Sequence, residues 1–245
     1  MKISLISLFV IFYFAAFSQT YSGMESEKKY DIWLYKNTGI EFQEVNGIVS
    51  IEAENATRYN NVVFIEGESG LAALCPGSGT KNFGMNTTFL RFHIWFSQPG
   101  KYNLYILARK CVSDATHPCH GNEAQIRINP DTTFLLPSLR ADNGIPEGAP
   151  LSWFVQDQNG IKFTRMTFEE AQGNGILRWR SSLKSSRPVQ GKMAEGPAVV
   201  EITKAGLCIL EIIAANESGW AVDKLVLNKN NMNPPVGTGP FETRK

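Results

Sequence analysis

Apolar and polar residues alternate along much of the chain, and the alternation predicts strands. In TFLRFHIWF (88–96), Phe89, Arg91, His93 and Trp95 take one face, and Leu90, Phe92, Ile94 and Phe96 the other. A Gln98-Pro99-Gly100 turn leads into Tyr102 to Arg109, which predicts a hairpin. A second hairpin is predicted at the end of the chain. Gly206 to Ile213 alternates, Asn216-Glu217-Ser218-Gly219 reads as a turn, and Val222 to Leu227 alternates again. Shorter runs, YDIWLY (30–35), GIVSIEAEN (47–55), EAQIRIN (123–129), ILRWR (176–180) and PAVVEIT (197–203), add further strands. Residues 60–84 and 183–196 read as loops, the second basic and Ser-rich, and 130–172 has no clear period. TFEEAQ (167–172) is the one segment with a helical look. Many short strands broken by Gly, Pro and Asn predict an all-β fold, an antiparallel β-sandwich with long loops.

Two strands carry carboxylates where the pattern calls for apolar groups. Asp223 shares a face with Leu225 and Leu227, at the mouth of the last strand. A buried carboxylate needs a partner. In GIVSIEAEN, Val49, Ile51 and Ala53 take one face and Ser50, Glu52 and Glu54 the other. If the first and last strands meet, Glu52, Glu54 and Asp223 converge on an oxygen-rich site for a hard cation such as Ca2+. Alternatively Glu52 and Glu54 are solvated or paired with Arg or Lys, and Asp223 caps a turn.

The chain has 245 residues, 43% of them apolar, and a net charge of +1. It carries no basic run, which argues against nucleic acid as a partner. The start reads as an export signal over residues 1–18: Lys2, then the apolar stretch from Ile3 to Phe17, then Ala16-Phe17-Ser18 as a small-x-small cleavage site. That stretch is too short to span a bilayer comfortably, and no other run is long enough. The mature chain is expected without a membrane span: secreted, periplasmic or at the cell surface. Residues 19–46 form a leader and strand, 47–229 one sandwich domain, and 230–245 a tail. In an oxidising compartment the four cysteines suggest disulfides. Cys111 and Cys119 flank a short polar loop and are the expected pair, while Cys208 pairs with Cys75 or stays a buried thiol. Cys111, His117, Cys119 and His120 are also of metal-binding type, but export favours the disulfide. Asn55, Asn86 and Asn216 stand in glycosylation acceptor patterns.

Scattered blocks from about Ile48 to Pro240 resemble the β-sandwich carbohydrate-binding modules of families 6 and 35, of the jelly-roll, galactose-binding-like type, and the C-terminal module of glycoside hydrolase family 115. The blocks are Ile51-Glu52-Ala53-Glu54 near the start; Pro99-Gly100-Lys101-Tyr102 with Leu104, Ile106 and Ala108-Arg109; Trp179; and Gly206, Cys208, Leu210, Ile212, Glu217, Gly219, Asp223, Lys224, Leu225 and Leu227. The ending Pro235-Val236-Gly237-Thr238-Gly239-Pro240 fits as well. Cys208 stands where the pattern has His, and Asn216 where it has Arg. The resemblance implies that Glu52, Glu54 and Asp223 bind a structural calcium. It also implies a polysaccharide or oligosaccharide ligand and a partner glycan-degrading enzyme.

Sugar rings stack on aromatic faces, and Asn or Arg groups hold hydroxyls. Loop position marks Trp153 and Trp220 as contacts, and Tyr59 and Asn60 follow the IEAE strand in a loop like one that lines the ligand cleft of such modules. No nucleophile motif is present, and the three histidines lie on one strand and in one loop. The expected function is therefore non-catalytic sugar binding. The alternative is a small secreted polysaccharide lyase or glycoside hydrolase on a jelly-roll scaffold, since fold alone does not fix function.

Overall fold

The computed structural model describes residues 32–75, 88–111, 123–129, 132–135, 155–158, 161–168, 177–189, 192–214, 219–229 and 231–245. In chain order the strands are β1 (Ile32–Asn37), β2 (Phe42–Gln43), β3 (Ile48–Glu52), β4 (Arg58–Glu66), β5 (Leu71–Leu74), β6 (Phe89–Phe96), β7 (Gly100–Lys110), β8 (Glu123–Asn129) and β9 (Thr132–Leu135). They continue as β10 (Val155–Gln158), β11 (Ile161–Thr167), β12 (Arg178–Arg180), β13 (Ser182–Val189), β14 (Lys192–Pro197), β15 (Val199–Ile202), β16 (Gly206–Ile213) and β17 (Trp220–Lys229). A short 3-10 turn, Ala53–Asn55, is the helical element among the described residues.

The strands form an antiparallel β-sandwich, with β2–β6 as a parallel pairing. One layer runs β11–β8–β16–β6, and β6 is flanked by β4 and β2. The other runs β9–β15–β7–β17, and β17 is flanked by β3 and β5. Strand β4 pairs with β5 in one layer and with β6 in the other, so it joins the two. The core lies between the layers. Leu90, Phe92, Ile94, Cys208, Leu210, Ile212, Ile126 and Ile128 come from one side; Leu104, Ile106, Val222, Leu225, Leu227, Val49 and Ile51 come from the other, and all are buried. Phe96 meets Tyr102 edge-on across the layers, with ring centroids 4.9 Å apart.

Both predicted hairpins are instead arches between layers. β6 pairs with β16 while β7 pairs with β17, so Pro99-Gly100 carries the chain from one layer to the other. Likewise β16 lies between β6 and β8, whereas β17 lies between β7 and the β3/β5 pair. Alternation marks which face is buried but not which strand pairs alongside, so it fits either connection. Two predicted loops are also paired strands: β4 and β5 within 60–84, and β13 and β14 within 183–196. Backbone pairing there outweighs a composition rich in Asn, Gly and Ser. Most of TFEEAQ lies outside the described residues, and its first residue, Thr167, ends β11.

The last fifteen residues are bonded into the sandwich. Thr243 N donates to Ser50 O and Gln43 N donates to Thr243 O, both at 2.9 Å, which places the tail between β2 and β3. The Ser50 hydroxyl donates to Pro240 O, and the Trp179 indole donates to Gly237 O. A Cβ on Gly239, whose φ is +75°, would come within 2.8 Å of the Trp179 ring, so glycine lets the tail lie flat on that indole. Glu242 Oε1 accepts bonds from Glu52 N and Asn55 Nδ2, both at 3.1 Å. The Asn55 amide is thus engaged within the fold, and a glycan on it would replace that contact. Glu242→Ala would leave the Glu52 amide without its acceptor. The expected loss is about 1–2 kcal/mol in urea denaturation, and an unchanged midpoint would contradict it.

Candidate functional site

The strand that carries Glu52 and the last strand meet, which is the condition on which the carboxylates were expected to converge. β3 and β17 pair antiparallel, with Glu52 opposite Lys224 and Ile51 opposite Leu225. Strand β3 ends at Glu52, however, and Glu54 sits on the 3-10 turn rather than further along the same strand face. The turn directs Glu54 toward β5, where its Oε1 accepts from Leu71 N at 3.2 Å.

Asp223 is fully buried, but not on the core face it was expected to share with Leu225 and Leu227: a register shift at this residue breaks the alternation, Val222 and Leu225 both enter the core, and Asp223 lies beneath the 67–70 turn. Its Oδ2 accepts from the backbone N–H groups of Glu68 and Ser69, at 2.8 and 3.0 Å. These belong to the Gly67-Glu68-Ser69-Gly70 turn that joins β4 to β5, closed by Gly67 N donating to Gly70 O. The turn wraps the carboxylate with main-chain donors. Ser69 Oγ donates to Glu52 Oε1 at 2.8 Å, and Lys224 Nζ donates to the same oxygen at 2.6 Å. Burial pushes the Glu54 carboxyl above the ordinary carboxylate range, and the nearby charges of Glu52 and Asp223 push it further.

Each of these carboxylates keeps one oxygen in reserve. Glu52 Oε2, Glu54 Oε2 and Asp223 Oδ1 are buried and have no hydrogen-bond partner. A buried acceptor without a donor is costly, and here there are three around one turn. Among the described residues no three His, Cys, Asp or Glu side chains are gathered in the arrangement of metal ligands. Each carboxylate is held through one oxygen by its own donors, and its other oxygen has no hydrogen-bond partner. With all three carboxylates ionised, Lys224, bonded to Glu52, leaves two negative charges in the cluster. Oxygen donors of this kind are the type that a hard divalent cation such as Ca2+ takes.

Two glycines make room for the cluster. A Cβ on Gly67 would run into Asp223 Oδ1, and one on Gly70 into Glu54 Oε1, both far closer than real Cβ contacts. Gly67→Ala is therefore expected to displace the Asp223 carboxylate. It should cost about 1–3 kcal/mol, as overpacking does. A thermal melt identical to that of the native chain would count against this packing.

The sugar-contact residues fare differently. Trp220 is not a surface platform: it begins β17, is fully buried, and meets Phe168 edge-on at 5.7 Å. It belongs to the core strand itself, and its ring packs inward. Tyr59 is 2% exposed, packs edge-on against Phe64, and lies in β4 with Asn60 rather than in a loop. Trp153 lies outside the described residues. An aromatic singled out only as part of its strand is accessible: Trp95 is 37% exposed, opposite Leu207, itself 37% exposed. Lys245 Nζ stands 4.0 Å over the Trp95 ring, and the indole donates to Glu41. The signal was the alternation of β6, which places Trp95 on the polar face with Arg91 and His93.

The disulfide expected between Cys111 and Cys119 is not formed at Cys111, which carries a free thiol that burial pushes up to about 11. Cys119, His117 and His120 lie outside the described residues, as do the export signal and the acceptor sites Asn86 and Asn216. Among the described residues no helix is long and apolar enough to cross a membrane.

No protein-family profile and no curated protein matches the chain. Solved structures that align with it include an insecticidal crystal protein, at 12% identity and TM-score 0.40, over 78% of this chain and 23% of that one. A Podospora anserina GH26-CBM35 β-(1,4)-mannanase aligns at 14% identity and TM-score 0.35, over 78% of this chain and 29% of that one. A Phanerochaete chrysosporium exo-β-1,3-galactanase with galactose aligns at 12% identity and TM-score 0.35, over 75% and 30%. The chain thus spans less than a third of the length of each. Likenesses this distant say nothing about the chemistry of the present chain.

Proposed function

We infer that this chain is an exported, non-catalytic carbohydrate-binding β-sandwich with a structural calcium. One observation carries the reading: Glu52, Glu54 and Asp223 lie around a single turn, each with a buried oxygen that has no partner. These are the residues for which the resemblance to families 6 and 35 implies a calcium. Bound there, the ion would tie β3, the 67–70 turn and β17 together, and so fix the β4–β5 connection.

The sugar platform falls to Trp95 and Trp153. Trp95 presents a ring face on the outer side of β6, with Leu207 beside it. The Lys245 ammonium over that ring and its Glu41 partner are 44% and 38% exposed, so both can move aside for a ligand. Stacking a sugar ring on an indole contributes on the order of 1 kcal/mol beyond area burial. Affinities in the micromolar to millimolar range follow from a few such contacts.

A glycan array combined with a reducing-sugar assay on the same sample tests the function. The expected result is binding without turnover, weakened several-fold by Trp95→Ala or Trp153→Ala with the fold intact, as losing about 1 kcal/mol of contact implies. Shortening of a polysaccharide by the purified protein would establish the lyase or hydrolase reading instead.

A further inference from the structure

The acidic cluster contains one ammonium, in an unusual place. Lys224 is 3% exposed, and lysine is almost never buried so far unless it is paired. Its Nζ donates to Glu52 Oε1 at 2.6 Å and to Ser69 Oγ at 3.1 Å, while Ser69 Oγ donates to the same Glu52 oxygen at 2.8 Å. Lysine, serine and glutamate close a small ring. The ring occupies Oε1 of Glu52 and leaves Oε2 without a partner. The backbone enforces the arrangement, since Lys224 and Glu52 are register partners in the β17–β3 ladder. A shift in the β17–β7 ladder between Val222 and Lys224 lies at Asp223.

The charges then decide what the site can hold. With its carboxylates ionised, the cluster has three negative charges, and Lys224 removes one. A divalent ion cancels the remainder. A trivalent ion leaves a net positive charge in a partly desolvated place, which is unfavourable. Resting on the reading that this cluster holds a divalent cation, we propose that Lys224 sets its charge specificity. It aims Glu52 with one oxygen free and holds the site at the charge of a divalent ion.

Charge-altered variants test this in the full chain. Native protein and the variants Lys224→Met, Lys224→Arg, Glu52→Gln and Glu52→Gln/Lys224→Met are stripped of metal and titrated with CaCl2 and TbCl3 by calorimetry. Removing a unit charge a few ångströms from the ion should raise the terbium-to-calcium affinity ratio of Lys224→Met by tenfold or more, by an order-of-magnitude Coulomb argument. Glu52→Gln should lower the ratio. The double variant restores the native charge and should return the ratio toward the native value, as should Lys224→Arg. A purely structural lysine would not produce that recovery. The proposal is overturned if Lys224→Met leaves the ratio unchanged, or if the double variant keeps the ratio of Lys224→Met. Should Lys224→Met fail to fold by circular dichroism, Glu52→Gln and the double variant decide, because neither leaves Glu52 charged beside an absent lysine. If the native protein binds neither ion, the cation reading itself fails, a different outcome from an unchanged ratio.

Discussion

Asp223→Asn is expected to stay folded in EDTA yet lose all stabilisation by calcium, whereas Asp223→Ala is destabilised in any buffer. The difference follows from the two oxygens of one buried side chain. Oδ2 accepts from the Glu68 and Ser69 amides, and Oδ1 has no partner. Asparagine still offers one carbonyl oxygen to the turn and removes the charge a cation needs. Alanine removes the acceptor too, leaving the Glu68 and Ser69 amides without it and a gap beneath the turn. That second loss amounts to about 3–5 kcal/mol, a fall in melting temperature on the order of 10 °C for a chain of this size. In the native chain calcium should raise the melting temperature by mass action, because the folded state alone assembles the three carboxylates. Melting curves of all three proteins, with and without excess calcium, check the scheme. An Asp223→Asn protein that calcium still stabilises to the native extent would remove Asp223 from the site.

Trp220→Ala is expected to lose about 3–5 kcal/mol of stability, the range for truncating a large buried aromatic. Trp220 is fully buried and packs edge-on against Phe168. It opens β17, whose other neighbours include Lys110 on β7. Any loss of sugar binding in this variant would therefore report partial unfolding. Chemical denaturation separates the two: the midpoint should fall markedly in Trp220→Ala and stay near native in Trp95→Ala. A Trp220→Ala protein with native stability would place that indole at the surface after all.

Much of this architecture was legible from alternation alone. Asp223 and the Glu52–Glu54 pair marked two strands whose meeting would bring carboxylates together, and those strands do pair as β17 and β3, although the register shift at Asp223 and the 3-10 turn at Glu54 lay outside the alternation. What alternation could not supply was the neighbour of each strand. The runs either side of Pro99-Gly100 and of Gly219 look like hairpins, because a strand that crosses to the opposite layer buries the same face as one that folds back beside its predecessor. The support around the carboxylates was hidden for another reason. Ser69, Lys224 and Glu242 reach Glu52 across separations of 17, 172 and 190 residues, and no local pattern records such contacts. Gly67 and Gly70 read as ordinary turn residues, and only the carboxylates against them give these glycines a second reason to be small. Trp220 misled because a tryptophan beside a polar turn looks exposed when the strand after it is undrawn. Trp95 was legible as outward-facing, but a strand face shared with Arg91 and His93 gave no hint that the ring would remain accessible.

Metal content is the most direct test of the central claim. Protein purified without chelator and exchanged into metal-free buffer, then measured by elemental analysis alongside an EDTA-treated sample, should hold one calcium per chain, and the EDTA-treated sample should melt lower and recover on adding calcium. No bound metal, together with a melting curve that EDTA leaves unchanged, would contradict the account: the three carboxylates would then be served by Lys224 and the turn alone.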